Sequence, residues 1–399
     1  MSPRCRTRRD EREMTEVHRI RLIIVIATSI VTLAATRPQT QPASWTLDPR
    51  PSVTLGLDES DPAALLQTIV FATRLADGSI LVGDRGEFAL KLFAADGAFR
   101  RSFARKGSGP GEVRFLGRMF RCGDSVYTYD IEEGHRMSVF SLDGRYARTF
   151  RFRVPAGQRV PYLSACNARG DFVHVGWGAQ SEMKGGIHRS NVPVWLSRGD
   201  STAPRAIDSV PGSERWGQVH DNRIVGSRPL PLGKQPVVGI GRARAYVGSG
   251  DRFQVKVFDL TGKPLSVLQR TETAVAVSRA DIRDEIERSV ANGGEARRAQ
   301  IERSYADITF PSTLPAYTHL MVDAEDHVWV RGFPRGASPT VRWTVFAPTG
   351  APAAEVQLPA HLEVFEIGRD YVLGRYLDPT EAVPQVRLYR LTRANARKP

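Results

Sequence analysis

Charged side chains follow the second strand of several predicted hairpins, and loops on a rigid scaffold often carry function. The candidates are Asp84, Arg85, Asp130, Glu132, His135, Asp251, Arg252, Arg331 and Arg335. Guanidinium groups bind carboxylates and phosphates, so the arginines suit a polar or anionic ligand. Carboxylates and imidazoles can bind Ca²⁺ or Zn²⁺, so Asp84 and Asp130 are also candidate metal ligands. No residue is assigned a catalytic role.

The usual signatures of catalytic sites are absent from the sequence. It contains no G-x-S-x-G, H-E-x-x-H or C-x-x-C motif, which excludes the common hydrolase, zinc-protease and dithiol patterns. The glycine-rich run 107–111 lacks the Lys-Ser/Thr pair and the following helix of a phosphate-binding loop, so we interpret it as a turn. Asp323, Glu325 and Asp326 occupy a hairpin turn and lack the spacing of a calcium loop.

The composition is that of an ordinary globular protein, not of a disordered, collagen-like or coiled-coil chain. Of 399 residues, 41% are hydrophobic and 25% are charged, and the formal net charge is +13. Seven of the 56 basic residues are lysines and the others are arginines, scattered singly along the chain. Nucleic-acid binding favours a basic stripe with a recognition motif, and the sequence has neither. The charge fits an arginine-rich surface, or attraction to an anionic membrane or polysaccharide.

The first 36 residues have the pattern of a targeting segment. A basic region precedes an uncharged apolar run from Leu22 to Ala35, and Thr32 and Ala34 suit cleavage after residue 34. The run is shorter than the roughly 20 residues that a membrane-spanning helix needs. This favours a signal peptide over an uncleaved inner-membrane anchor, and residues 37–44 form a polar linker. We expect an exported protein, periplasmic or extracellular, that contacts the membrane only through this segment.

Two of the three cysteines, Cys122 and Cys166, lie beyond the targeting segment. An even number is compatible with one disulfide in an oxidising compartment. The repeats described next place each cysteine at the end of the first strand of neighbouring units. Two alternatives remain open: a disulfide, or two buried thiols whose Cα atoms are farther apart than the roughly 5.5–6 Å that a disulfide prefers.

One four-stranded unit is repeated six times. Each copy contains two alternating apolar runs joined by a turn that usually includes glycine, and an earlier hairpin, such as 74–84 or 120–130, precedes it. The first run of each copy carries one aromatic residue: Phe93, Phe140, Trp195, Phe258, Phe346 and Tyr389. Units of about 40–50 residues are typical of propeller blades. The sequence therefore predicts an all-β protein, a six-bladed β-propeller.

The two ends of the repeat region predict how the propeller closes. The last copy contains only three strands, and residues 52–57 form a strand that belongs to no copy. That N-terminal strand can complete the last blade and remove a free sheet edge. One domain therefore covers residues 45–392 and is followed by a tail, 393–399. Three histidines on or beside strands could approach the central axis: His174, His319 and His327.

Two regions depart from the repeat. Residues 278–305 begin with Ser278 and Asp281 in the S-x-x-D spacing of a capping box, and apolar residues follow at helical spacing. This pattern predicts a short helical insertion on the same face as the candidate loops. Residues 177–191 and 208–235 are rich in glycine, proline and arginine, and we interpret them as a long loop region.

Residues 79–115 resemble an NHL repeat. The matching features are a strand ending at Asp84, the hairpin from Phe93 to Gly97, Phe103, and glycines at 107, 109 and 111. Residues 85–87, Arg-Gly-Glu, replace the Asn-x-Arg that usually follows the strand aspartate. Over its whole length the chain is similar to uncharacterised exported bacterial six-bladed propellers. The resemblance implies a binding platform, although a few relatives are metal-dependent lyases or hydrolases.

These features predict an exported propeller binding module. Its charged channel-mouth face would contact a protein, peptide or glycan in the cell envelope, without a resident cofactor. The alternative is a metal-dependent lyase or hydrolase with its site at the channel mouth and Ca²⁺ or Zn²⁺ as the candidate metal.

Overall fold

The computed structural model describes residues 43–131, 135–154, 162–178, 184–199, 203–336, 338–378 and 383–393. The predicted targeting segment, Glu132 and nearly all of the predicted tail lie outside these ranges.

The secondary structure is dominated by strands. Those before residue 190 are β1 (Ala43–Ser44), β2 (Thr46–Leu47), β3 (Val53–Leu55), β4 (Ile69–Arg74), β5 (Ile80–Asp84), β6 (Ala89–Phe93), β7 (Phe99–Phe103), β8 (Arg105–Lys106), β9 (Glu112–Val113), β10 (Arg118–Cys122), β11 (Ser125–Asp130), β12 (Arg136–Ser141), β13 (Tyr146–Arg151), β14 (Tyr162–Cys166), β15 (Asp171–Val175) and β16 (Gly186–His188). Those after it are β17 (Asn191–Arg198), β18 (Arg205–Pro211), β19 (Arg215–His220), β20 (Arg223–Pro229), β21 (Val237–Ile240), β22 (Arg244–Gly248), β23 (Gln254–Asp259), β24 (Pro264–Gln269), β25 (His319–Val322), β26 (Val328–Arg331), β27 (Thr340–Phe346), β28 (Pro352–Pro359), β29 (Leu362–Ile367), β30 (Tyr371–Leu377) and β31 (Pro384–Thr392). The helices are α1 (Arg279–Gly293) and α2 (Arg298–Ala306), with 3-10 turns at Pro62–Ala64 and Glu295–Arg297.

Most strands form antiparallel sheets in which chain neighbours pair. Sheet I contains β4–β7; sheet II, β10–β13; sheet III, β14, β15, β17 and β18; sheet IV, β21–β24; sheet V, β25–β28; and sheet VI, β29–β31. We call the first strand of each sheet its inner strand. The mostly β structure, with its series of four-stranded antiparallel sheets, is consistent with a propeller fold.

The turns between strands explain the repeated glycines. Gly97, between β6 and β7, has a φ of 96°, and Gly350, between β27 and β28, has a φ of 90°. Glycine adopts this left-handed region without the steric cost of a Cβ atom. Each glycine therefore permits a tight hairpin at the place where the repeat predicts one.

The N-terminal strands join the last two sheets. β3 pairs antiparallel with β31, with Val53 opposite Leu388 and Leu55 opposite Val386. β2 also pairs antiparallel with β31, whereas β1 pairs parallel with β28 of sheet V. The orphan strand predicted at 52–57 thus supplies a fourth strand to sheet VI.

The hydrophobic core consists of clusters between neighbouring sheets. Leu90 of sheet I and Met119 of sheet II share one cluster, and further clusters join sheets II to III, III to IV, IV to V and V to VI. Ile69 of sheet I packs in one cluster with Leu373 and Val386 of sheet VI. Burial of these apolar faces is the main force that holds the sheets together.

The long loop region contains an additional sheet that the sequence analysis missed. β16, β19 and β20 form a three-stranded sheet, with Ile187 opposite Trp216. Because Val219 and Val225 are more than half exposed, this sheet shows little of the inward-facing alternation that identifies a strand in sequence. The expected loop is therefore corrected to a strand-containing insertion.

The helical insertion begins as its capping pattern predicts. Ser278 caps α1, its hydroxyl accepts a hydrogen bond from the Asp281 amide, and the Asp281 side chain accepts from the Ser278 amide. The Ser289 and Tyr305 hydroxyls, 2.7 Å apart, join α1 to α2. A β-bridge between Ala276 and Thr313 closes the base of the insertion.

Cys122 and Cys166 form a disulfide with a Cα separation of 5.5 Å. They end the inner strands of sheets II and III, so these strand ends are close enough to be bridged. Of the two alternatives left open by the sequence, the structure has the disulfide.

Within the ranges that the structure describes, neither α1 nor α2 has the length and apolar character required to cross a bilayer.

Candidate functional site

A central cavity of about 1540 Å³ is lined by residues from the inner strands of all six sheets. We call its two ends the upper mouth and the lower mouth. At the upper mouth the inner strands begin and the second strands end, so that His319 lies opposite Arg331 and Glu363 opposite Arg375. At the lower mouth the inner strands turn into the second strands.

The upper mouth is rich in cations. Its charged lining residues are Arg85, Arg118, Arg215, Arg375 and Glu363. Arg375 forms an ion pair with Glu363, whereas Arg215 donates to the Ser227 hydroxyl at 2.9 Å. Four guanidinium groups with one carboxylate give this end of the described cavity an excess of positive charge.

His319 lies in the midst of these cations. Its side chain is exposed to the cavity and surrounded by protein, and its ring lies 6.1 Å from the ring of Trp343. Partial desolvation by the surrounding protein, together with the positive charges of Arg331 and Arg118, lowers the pKa of His319 to about 4. Since Arg118 belongs to sheet II and Arg331 to sheet V, charges from separate sheets converge on this ring.

The lower mouth contrasts with the upper one in the number of carboxylates among its described lining residues. Its lining residues include four arginines and five carboxylates: Arg74, Arg121, Arg242, Arg369, Asp124, Asp323, Asp326, Glu366 and Asp370. The ion pairs are Arg74–Asp370 at 3.8 Å, Arg121–Glu366 at 3.6 Å, Arg242–Asp326 at 3.6 Å and Arg369–Glu325 at 3.0 Å. The charges of the described arginines at this end are therefore balanced by neighbouring carboxylates.

Glu366 organises one side of the lower mouth. Its carboxylate accepts hydrogen bonds from Thr73 and Tyr371, and Arg121 also donates to the Thr73 hydroxyl at 3.1 Å and to the Arg74 carbonyl at 2.7 Å. Burial and the negative charge of Glu366 raise the pKa of Tyr371. Since these residues belong to sheets VI, I and II, the network joins three sheets.

Asp323 organises the other side and holds the chain ends. Its buried carboxylate lies 2.9 Å from Arg393 and accepts from the Trp329 indole at 2.9 Å, while Arg393 lies over the Trp45 ring at 4.6 Å. Burial alone would raise the pKa of Asp323, but hydrogen bonds from His327 and Trp329 and the charge of Arg393 lower it. The predicted turn around Asp323 is therefore part of a polar clasp between both ends of the domain.

The structure buries Asp84 and Asp130, at 0% and 1% exposure. Asp84 accepts from the backbone amides of Gln67 and Thr68, both at 2.9 Å. Asp130 accepts from the amides of Arg114 and Phe115 at 2.7 and 3.0 Å. Each carboxylate anchors the loop that precedes an inner strand. This corrects the expectation that these two aspartates face a ligand or metal ion at the channel mouth.

The remaining candidates divide between the cavity and its surroundings. Arg85 lines the upper mouth with its guanidinium 5.6 Å from the Phe115 ring centre, whereas Arg331 lines a second, smaller cavity. The Arg335 side chain donates to Asp281, whose carboxylate completes the capping box of α1, at 3.2 Å.

Three further candidates, like Asp84, Asp130 and Arg335, lie outside the set of residues that line either described cavity. His135 hydrogen-bonds the Tyr129 hydroxyl through Nδ1 at 3.1 Å, and burial together with the charge of Arg151 lowers its pKa. Asp251 accepts from Arg189 at 2.6 Å, and Arg252 beside it is exposed. The two other histidines named above line neither described cavity: His174 is buried 3.0 Å from the Ser197 hydroxyl, and His327 contacts Asp323.

The glycine-rich run 107–111 encloses a carboxylate of the protein itself. The Gly109 amide donates to Glu112 at 2.8 Å, and a Cβ atom on Gly107 would lie 2.1 Å from the same carboxylate. Hydrogen bonds from Gly109 and Arg105 lower the pKa of Glu112. The loop is therefore filled by Glu112.

The described candidate ligands do not fit a metal-dependent site. Across the described ranges, no group of three or more His, Cys, Asp or Glu side chains is placed to hold a metal ion. The two carboxylates proposed as ligands accept backbone hydrogen bonds instead. We derive no reaction step through a metal.

Sequence reasoning missed Arg118 and Arg215. Arg118 begins the inner strand of sheet II, and His319 occupies the same place in sheet V. A search for charged residues just before the starts of the predicted inner strands would have found Arg118 as well as His319. Arg215 lies in the region interpreted as loop, where no sequence signal places it at the cavity.

No family model and no curated protein matches this chain. Among solved structures, it is similar to a member of the DUF4221 family from Bacteroides vulgatus, with a TM-score of 0.53 and 10% identity over 89% of this chain and 100% of that one. Regucalcin, a calcium-binding protein from Agrobacterium tumefaciens, matches at a TM-score of 0.39, with 10% identity and coverage of 89% and 98%. A catalytically inactive virginiamycin B lyase from Staphylococcus aureus, with quinupristin, matches at 0.36, with 11% identity and coverage of 88% and 99%. At such identities, the first of these similarities supports the fold alone.

Proposed function

We propose that the protein is an exported, closed six-bladed propeller of NHL type that serves as a binding module. Its upper mouth binds an acidic segment of a protein, peptide or glycan in the cell envelope. The apolar run within residues 1–36 supports export. The clusters between successive sheets, together with the contact of sheet VI with sheet I, support the closed ring.

The observation that carries the proposal is the charge asymmetry of the cavity. Among the described lining residues, both mouths contain four arginines, but the upper mouth has one carboxylate and the lower mouth has five. Clefts lined by charge of one sign concentrate ligands of the opposite sign. Arginine forms charge-assisted, often bidentate hydrogen bonds with carboxylate and sulfate-like groups. The upper mouth is therefore the end that attracts an acidic ligand.

The test compares substitutions that reverse equal charge at the two mouths. Fluorescein-labelled poly-L-glutamate and polygalacturonate represent an acidic peptide and an acidic glycan, and dextran is the uncharged polymer. We expect Arg118→Glu with Arg215→Glu to weaken binding of an acidic polymer at least tenfold. A charge-assisted hydrogen bond contributes about 1.5–3 kcal/mol, and tenfold corresponds to about 1.4 kcal/mol.

The matched control is Arg242→Glu with Arg369→Glu at the lower mouth, which should leave binding within twofold. Added salt should weaken binding to the unaltered protein, because screening reduces attraction between charges. Equal loss in both double variants, or dextran binding as well as the acidic polymers, would reject the upper mouth as an anion site.

A further inference from the structure

A second cavity of about 270 Å³ lies beside the upper mouth, and we call it the side pocket. Gln235 and Thr318 line both cavities. Helix α1 contributes Glu285 and Arg288 to its lining, and strand β26 contributes Arg331. The side pocket therefore lies between the helical insertion and sheet V.

Hydrogen bonds hold the insertion over this pocket from two sides. Arg335, just beyond β26, contacts Asp281 at the start of α1 at 3.2 Å. Arg228 of β20 donates to the Ser304 carbonyl in α2. The wall formed by residues 230–234 is fixed by Glu214, which accepts from the Lys234 amide at 2.8 Å. These contacts hold the walls of the side pocket in place.

The lining of the side pocket combines cationic and apolar groups. Arg288 and Arg331 enter it from different elements, and Glu285 forms an ion pair with Arg288 at 2.9 Å. Arg331 contacts neutral groups, the Thr318 hydroxyl at 3.3 Å and the Ala360 carbonyl at 3.4 Å. Leu230, Leu232, Phe333 and Pro334 supply apolar surface.

The charges around Arg331 favour a bound anion. Burial and the positive charge of Arg288 lower the pKa of Arg331, and the smaller effect of the negative charge of Glu363 opposes this. A carboxylate between the two guanidinium groups would accept hydrogen bonds from both and relieve their repulsion. The apolar walls would receive a hydrophobic group attached to that carboxylate, as in many small-ligand sites.

We propose that the side pocket binds a carboxylate that carries a small apolar group, with Arg288 and Arg331 holding the carboxylate. The chemistry is that of an N-acylated apolar amino acid or of a peptide ending in an apolar residue. This inference deepens the proposed function and rests on it, because the side pocket adjoins the upper mouth and would select one feature of the acidic partner.

Calorimetric titration of the intact protein tests the inference. The probes are N-acetyl-L-leucine and acetyl-Gly-Gly-Gly-Leu, each as the free acid and as the amide. We expect at least one free acid to bind and its amide to bind at least tenfold more weakly. Binding of both acids would indicate that the pocket accepts a peptide terminus, and binding of N-acetyl-L-leucine alone would indicate a free small acid. Equal affinity of acid and amide, or no binding of either acid, would overturn the proposal.

Two substitutions in α1 test whether the acid binds in the side pocket or is attracted by the positive charge of the protein as a whole. Arg288→Gln should weaken binding of the free acid at least tenfold. Arg283→Gln removes the same charge from an exposed position of the same helix and should change the affinity less than twofold. Equal effects of the two substitutions would contradict the site, and circular dichroism of both variants would show whether the helices persist.

The same samples distinguish failure of this inference from failure of the proposed function. Loss of small-acid binding with retained, Arg118- and Arg215-dependent binding of poly-L-glutamate would overturn the side pocket alone. If neither poly-L-glutamate nor polygalacturonate binds, the proposed function is overturned, whether or not the small acids bind.

Discussion

Among the described lining residues, the two mouths of the central cavity contain the same number of arginines but different numbers of carboxylates. Lower-mouth arginines pair with carboxylates, as Arg121 does with Glu366 and Arg242 with Asp326. At the upper mouth, Glu363 is the one carboxylate among the described lining residues. Charges that are neutralised within the fold contribute to structure, whereas an excess of one sign remains available to a ligand. Residue type alone therefore does not show how many carboxylates surround an arginine.

The largest expected effect comes from breaking the clasp at the lower mouth. Asp323→Ala would remove the buried acceptor that Arg393 and the Trp329 indole share, since the Asp323 side chain is 0% exposed. Removal of one partner from a buried ion pair costs about 3–5 kcal/mol, and the ion pair that Arg393 keeps with Glu325 places the expected loss at the lower end of this range. We expect a loss of this size in urea-induced unfolding. A loss below about 1 kcal/mol would show that the clasp contributes little to stability.

This clasp also predicts acid sensitivity. The folded pKa of Asp323 is lower than its ordinary value of 3.8. The contribution of the carboxylate to stability is therefore present above that value and is lost as the pH falls through the folded pKa. The Asp323→Ala variant should lack this part of the acid response.

An intermediate effect is expected on the free energy of unfolding, which should differ between substitutions of two arginines on one strand. Arg118 and Arg121 lie on β10, at the upper and lower mouth respectively. Arg121→Gln removes the ion pair with Glu366 and the bonds to Thr73 and to the Arg74 carbonyl, and should cost about 1–3 kcal/mol. Arg118 is exposed, so Arg118→Gln should change stability by no more than about 0.5 kcal/mol.

Thermal and urea unfolding of the two variants measure this difference. Equal destabilisation by both substitutions would remove the distinction between a structural lower mouth and a binding upper mouth.

The smallest expected effect is a change in titration of His319. Enclosure and the charges of Arg331 and Arg118 lower its pKa to about 4, so the ring should be neutral at pH 5.5 in the folded protein. Arg118→Gln should raise the pKa towards the ordinary 6.5, because one repelling charge is removed. Nuclear magnetic resonance of the imidazole measures both values. An unchanged pKa in the variant would show that the charge of Arg118 does not affect the His319 ring.

The sign of the accompanying stability change follows from the same pKa. The unfolded ring takes up a proton near pH 6.5, before the folded ring does. His319 therefore makes the folded state less stable as the pH falls from about 6.5 to about 4. Arg118→Gln should reduce this loss.

Much of the fold was predictable because its signals are local. Alternating runs around residues such as Phe93 and Phe346 mark strands, since each run shows the period of a half-buried strand. Gly97 and Gly350 mark the turns that join the strands, and Ser278 with Asp281 marks the start of α1. Each signal depends on a few neighbouring residues and on backbone geometry. The three strands of the extra sheet had no comparable pattern, because their exposed apolar residues obscure the alternation.

The site was less predictable because it depends on which partners surround each charge. Asp84 and Asp130 lie at the strand ends that the repeat predicts, but backbone amides from the preceding loops surround them. Arg335 binds the cap of a helix more than fifty residues away in sequence. Such partners come from distant segments, so spacing along the chain does not reveal them.

The sequence by itself determined the strand pattern, the turns, the helical insertion and the charge balance, because these follow from local backbone preference and composition. Only the tertiary structure decided which end of the cavity each arginine lines, and how many of the described carboxylates line that end with it. Arg118 and Arg121, three positions apart on one strand, reach opposite mouths of the cavity and meet different neighbours. The interaction energy of a charge depends on its surroundings, and folding from distant segments supplies those surroundings.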